Sequence, residues 1–251
     1  MTHCRKLQQA RFLLLVILTF GFLLFTGCQR EDYISSNTTT LGFRKLSEYR
    51  IFAGNPSDLR PTADYKLYEL SSELFSDYAE KQRLIKLPPG TVMEATDDNL
   101  LDFPDGTVIV KTFYYYKDKR NPLAGKKIIE TRLLLLTEGQ WTVGTYIWNE
   151  TQDEAYLVSS GYNTIVNWLD DEGKGKVISY HVPSNLECRA CHSYNNSITP
   201  IGPKVRNLNF DVYREGHMVN QLAQMGYDGQ LLPINPEDFG TMPNYRDPHA
   251  L

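Results

Sequence analysis

Two cysteines and a histidine stand within five consecutive positions, Cys188-Arg189-Ala190-Cys191-His192, in a chain of 251 residues with four cysteines in all. Two thiols at this separation can add across the two vinyl groups of a haem, and a histidine directly after the second can reach its iron. CxxCH is therefore the pattern of covalent haem c attachment. A structural zinc site competes for the same residues but wants four ligands, usually from two separated knuckles; here there is one knuckle, with His181, His217 and His249 as further imidazoles. A thioredoxin-like pair would want CxxC at a helix N-terminus after a βαβ pattern, and Pro183-Ser184-Asn185 after a strand-like stretch does not supply one.

The start of the chain places those thiols. Arg5, Lys6 and Arg11 precede an apolar run, Phe12 to Phe25, broken by Thr19 and Gly21. The run is short for a membrane span, which needs about 20 apolar residues, and reads as a signal peptide. It ends Leu24-Phe25-Thr26-Gly27-Cys28, which resembles a bacterial lipobox and implies lipidation at Cys28. Cys4 leaves with residues 1–27, Cys28 carries lipid, and Cys188 and Cys191 remain as thiols outside the cytoplasm, where unprotected thiols oxidise. One covalent haem c gives them an occupant. The expected location is the bacterial cell envelope, periplasmic or outer-membrane-associated, held by lipid rather than by a protein span.

Further along, Ile201-Gly202-Pro203-Lys204-Val205 resembles the Gly-Pro segment of class I cytochromes c. That likeness implies that the Pro203 carbonyl holds the second ring nitrogen of His192, as outer-shell acceptors do for metal-bound histidines. For the sixth iron position the sequence offers Met218, Met225, Met242, His181, His217 and His249. Met242, in Gly240-Thr241-Met242-Pro243, resembles the Met-Pro of the same class and is the favoured metal ligand. Met218 and Met225, seven residues apart, also suit core packing.

The elements that must position these groups follow from periodicity. Residues 28–45 are polar and read as a tether. Residues 46–89 read as a helical N-terminal segment, with Ser71 or Ser72 capping a turn in which Leu74, Phe75 and Tyr78 share a face, stopped at Pro88-Pro89-Gly90. Residues 90–182 read as antiparallel β: Val108 to Tyr116 alternates, Ile128–Thr137 and Trp141–Trp148 form a hairpin across Glu138-Gly139-Gln140, and shorter runs lie at 155–158 and 176–182. Residues 183–251 read as a mostly helical and loop segment that binds the haem, with an amphipathic helix over Val212 to Met225. The expected fold class is thus α+β, an antiparallel sheet domain followed by a helical haem segment. Removing residues 1–27 takes three positive charges and no acid, so formal net charge moves from −4 to −7. No basic patch survives to bind nucleic acid.

The stretches "LSEYRIF", "SSELFSDYAEKQRLIKLPPG", "FPDGTVIVKTFYY", "ETRLLL", "YIWNE", "CRACH" and "PIGPKVRNLN", in this order, resemble a family of exported bacterial diheme c-type cytochromes, often lipoproteins. The resemblance covers roughly residues 43–251 and implies haem at Cys188 and Cys191, His192 as axial ligand, and electron transfer with redox partner proteins of the envelope. The family carries a second CxxCH that this sequence lacks, so the chain is expected to be a one-haem member or the first-haem part of a longer protein. The expected role is an electron carrier rather than a catalyst. The alternative is a haem that binds or transforms a small ligand: "FPDGTVIVKTFYY" ahead of a late CxxCH resembles the β-sheet cytochromes of the c′-β kind and their lysine-cross-linked relatives. Lys111 is the lysine of that stretch, and its strand position predicts a solvent-facing side chain. A structural lipoprotein with an incidental CxxCH is the third reading.

Overall fold

The structure, a computed structural model, describes residues 41–244. The signal peptide, Cys28 and His249 lie outside the described residues. Six strands form one antiparallel sheet in sequence order: β1 (Lys66–Leu67), β2 (Glu80–Lys86), β3 (Val108–Tyr116), β4 (Lys126–Thr137), β5 (Gln140–Trp148) and β6 (Ala155–Val158). Side chains alternate across a sheet, and the two faces of this one have different fates.

The first face is wholly apolar or hydroxyl-bearing near its centre. Leu84, Val108, Val110, Leu133 and Tyr146 pack there against Leu41, Leu46, Ile51 and Leu59 of the preceding segment. Gly144 makes room for this cover, since a Cβ at that position would stand 2.2 Å from Leu41 Cδ1. Leu41, assigned to the tether by sequence, is therefore part of the core. The hydroxyls at its centre are paired: those of Thr112 and Thr131 lie 2.9 Å apart, and Trp148 Nε1 donates to Thr131 Oγ1 at 3.0 Å.

The second face carries two apolar clusters with a gap between them. At one end Ile85, Ile109 and Leu134 meet Val205, Leu208 and Leu222 from the C-terminal part of the chain. At the other, Phe113, Tyr115 and Ile129 meet Val166, Trp168, Tyr180 and Val182 of a separate hairpin, β7 (Tyr162–Leu169) and β8 (Gly175–Val182). A register shift after Phe113 keeps both Tyr115 and Ile129 on this side of the sheet, the local re-aiming that a bulge provides.

The expected helical haem segment does not form. After β8 come α1 (Asn185–His192), the short pair β9 (Ser193–Tyr194) and β10 (Ser197–Ile198), one turn of helix α2 (Val205–Leu208), a hairpin β11 (Asp211–Arg214) and β12 (His217–Asn220), and α3 (Gln221–Tyr227). The protein is dominated by antiparallel β structure to its C-terminal part, and the α+β division is corrected accordingly. The helix expected over Val212 to Met225 is broken by Glu215 (φ 48°) and Gly216 (φ 93°), which turn β11 into β12. Positive φ at both central residues is the hairpin turn that matches strand twist. The helical reading of residues 46–89 is corrected in its second half: Glu80–Lys86 is strand β2, and Leu74, Phe75 and Tyr78 stand exposed outside the core, with the Phe75 and Tyr78 rings edge to face at 5.0 Å. The run at 176–182 is a strand, but in the separate hairpin and not in the main sheet.

A candidate haem-binding cleft

Helix α1 exists because its start is specified. Ser184 and Glu187 form a capping box, with Ser184 Oγ accepting from the Glu187 N–H at 3.3 Å and Glu187 Oε2 accepting from the Ser184 N–H at 2.8 Å. Such reciprocal bonds satisfy two amides that the first helical turn leaves open. Glu187 also accepts from Ser184 Oγ and meets His181 Nε2 at 3.0 Å. These bonds, those to Ser184 first, hold its carboxyl down at about 2.

Cys188, Cys191 and His192 follow at spacings of three and four, so their side chains share one side of the helix. Cys188 is buried against β5, with Sγ 3.9 Å from Thr145 Oγ1, and burial pushes its thiol up from the ordinary range. Cys191 is exposed, and the two thiols are not bonded to each other. His192 closes the helix, and its Nδ1 lies 2.9 Å from the Thr199 carbonyl oxygen. A carbonyl accepts, so Nδ1 carries the proton and Nε2 is left as the free ring nitrogen. The Thr199 amide returns a bond to the His192 carbonyl at 2.7 Å. The β9–β10 hairpin makes this possible: Asn195 (φ 48°) and Asn196 (φ 63°) turn the chain back so that Thr199 arrives beside His192.

Pro203 does not have the role expected of it. Its carbonyl accepts from the Leu101 amide at 3.4 Å, while Thr199 holds the histidine. The Gly-Pro segment shapes the cleft instead. Gly202 approaches Leu70 so closely that a Cβ would stand 2.9 Å from Leu70 Cδ1. The buried Asn207 amide locks this rim: it donates to the Ser72 and Gly202 carbonyls and accepts from Ser71 Oγ and the Ser72 amide.

A cleft of about 290 Å³ opens between the second face of the sheet and this C-terminal part. Cys188, His192, Pro203 and Met242 all line it, as do Ile109, Leu134 and Val143 of the sheet. Met242 is brought there by its backbone: its N–H donates to the Arg206 carbonyl at 2.9 Å, and the next carbonyl, of Pro243, accepts from Ser72 Oγ at 2.7 Å. The other described candidates for a sixth ligand lie elsewhere. His181 is engaged at the surface with Asn163 and Glu187, His217 and Met218 sit on an exposed hairpin, and Met225 is in the core.

Lys111 lines the same cleft, which corrects its expected exposure to solvent. Burial, then the neighbouring Arg83, Arg132 and Lys81, hold its ammonium down to about 7. His192 is likewise held below its ordinary value, by burial first, which favours the neutral ring, the form that can donate an electron pair. Arg132 forms a fork with the fully buried Glu130, through Nε at 2.8 Å and Nη2 at 2.5 Å, and Glu130 also accepts from Tyr180 Oη at 2.7 Å.

The lining suits a haem. It offers a neutral histidine nitrogen, a thiol in the wall with a second one turn on, apolar side chains for the ring, and cations for its carboxylates. Its volume is near the lower end of ligand pockets, roughly 300–1,000 Å³. Among the described residues no group of three or more His, Cys, Asp and Glu side chains is gathered to hold a bare metal ion. No protein-family model, curated protein or solved structure matches the chain.

Proposed function

We propose that the protein is a membrane-anchored c-type cytochrome that carries electrons in the bacterial cell envelope through one haem bound covalently at Cys188 and Cys191, with His192 as its axial ligand. The observation that carries this reading is the orientation of His192: its Nδ1 proton is committed to Thr199, and the ring lies in the same apolar cleft as the buried Cys188 thiol. When bound, the haem supplies a one-electron couple. The chain's own residues then do three things. Thr199 fixes the tautomer and raises the basicity of His192, the apolar wall of Ile109, Leu134 and Val143 limits the access of water, and Met242 in the lining would hold the iron as a further ligand and would raise the potential, as a methionine does in cytochromes c. The Cys28 lipid is the anchor in this reading, and the partners are redox proteins of the envelope rather than nucleic acid. Among the described residues no helix is long and apolar enough to cross a membrane.

A second reading, a haem with an open site that binds or transforms a small ligand, is favoured by one observation. Lys111 faces the same cleft as His192 and is largely desolvated. The absorption spectrum of protein matured in a haem c assembly strain separates the readings. Low-spin haem supports the carrier, high-spin haem supports the open site, and protein free of haem refutes both.

A further inference from the structure

The strand registers place three cations in one row across the second face of the sheet. Arg83 on β2 pairs with Lys111 on β3, Lys111 pairs with Arg132 on β4, and Arg132 pairs with Thr145 on β5, the residue beside Cys188. Like charges directly opposite each other on adjacent strands are destabilising, and burial adds a desolvation cost. The outer two are compensated: Arg83 by Glu73 at 2.8 Å and Arg132 by the fork to Glu130. Lys111 has no ion pair of its own among the described residues: Glu73, already shared by Arg83 and Lys81, acts on it only as the smallest of its electrostatic influences, and its Nζ lies 4.7 Å from the face of Phe113, which it shares with the Arg132 guanidinium at 4.5 Å. The imbalance extends over the cleft, whose lining carries Arg83, Lys111, Arg132, Lys204 and Arg206 against the single carboxylate of Glu73.

We infer that the row centred on Lys111 is an anion site, in which an oxyanion entering the cleft takes the charge of Lys111 between the two arginines. This goes beyond the haem reading, because the same chemistry has two sources: a carboxylate brought into the cleft on the haem itself, or a free inorganic oxyanion. Either completes a row that is otherwise a net cost to the sheet.

The test compares wild type, Lys111→Met and Lys111→Arg by thermal melting, in haem-loaded and haem-free preparations, with phosphate or sulfate added against chloride at matched ionic strength. Denaturing electrophoresis with haem staining reads the haem content of each sample separately. For a free oxyanion, phosphate or sulfate raises the wild-type Tm with the logarithm of its concentration above Kd, by roughly 5–10 °C at a hundredfold excess over Kd. Lys111→Arg keeps the rise and Lys111→Met loses it; any rise left in Lys111→Met is the general salting effect. For a haem carboxylate, added anions do nothing beyond chloride. In that case Lys111→Met lowers the Tm of the haem-loaded protein but not of the haem-free protein, and Lys111→Arg restores it. The proposal is overturned if Lys111→Met melts at or above wild type in every state and no anion exceeds the chloride control. If no preparation holds haem, the proposed function fails, and the phosphate and sulfate melts alone decide the anion site.

Discussion

Asn207 is the residue whose loss has the most directly calculable consequence. Its amide is buried and makes four hydrogen bonds, to Ser71 Oγ at 2.9 Å, the Ser72 amide at 2.8 Å, the Ser72 carbonyl at 3.2 Å and the Gly202 carbonyl at 3.1 Å. Asn207→Ala removes all four and leaves two donors and the Ser72 carbonyl without a protein partner, Ser71 Oγ among them on a fully buried residue, while the Gly202 carbonyl still accepts from the Lys204 amide. A typical bond contributes about 0.5–1.5 kcal/mol net, and a buried group left unpaired costs more than that. The four together give about 4 kcal/mol. For a domain of this size that is a fall in Tm of roughly 8–16 °C. Thermal melts followed by far-ultraviolet circular dichroism measure it, and denaturant titration with an unchanged m-value would show that the loss is one of stability. A fall below about 2 °C would refute the reasoning that this amide ties the Ser71–Ser72 loop to the Gly202 rim.

Two other perturbations test the site's supports. The Glu187 carboxyl is held at about 2 by its bonds to Ser184 and His181. A depressed folded-state value means that its stabilisation is complete above the ordinary carboxylate range and is lost as pH falls from about 5 toward 2. The Tm difference between wild type and Glu187→Gln should shrink across that window, and a difference that does not change with pH would contradict the assignment. Met242→Ala should abolish the weak near-infrared sulfur-to-iron band of the ferric protein and lower its potential; an unchanged spectrum would remove Met242 as ligand.

Legibility in the sequence divides along physical lines. Strands β3, β4 and β5 were readable because the first face of the sheet carries a row of apolar and threonine side chains at alternate positions and Glu138-Gly139 supplies the turn between β4 and β5. Strand β2 was not. Lys81 and Arg83 put charge on the covered, cleft side of the sheet, and so the run imitates the polar stripe of a surface helix. Strand β7 has few apolar residues turned inward, chiefly Val166 and Trp168, and its alternation is correspondingly faint. The CxxCH motif and Met242 were found by local pattern, and the fold brings Cys188, His192 and Met242 to one cleft, with Cys191 exposed beside it on α1. The Thr199 acceptor was missed in favour of Pro203, although Asn195-Asn196 is a hairpin signal that, followed through, returns the chain to His192. The cationic row was beyond reach of any local pattern. Arg83, Lys111 and Arg132 become neighbours through strand register, which is a property of the folded sheet and not of any one segment.

The central claim is that Cys188 and Cys191 each form a thioether to one haem. The direct measurement is the intact mass of the denatured protein after expression with a haem c maturation system, for wild type, Cys188→Ala and Cys191→Ala. The account predicts one haem's mass added to the wild-type chain and retained through acidic organic extraction, with attachment greatly weakened in either single variant. A wild-type chain at its bare mass, or haem that extracts completely, would contradict it.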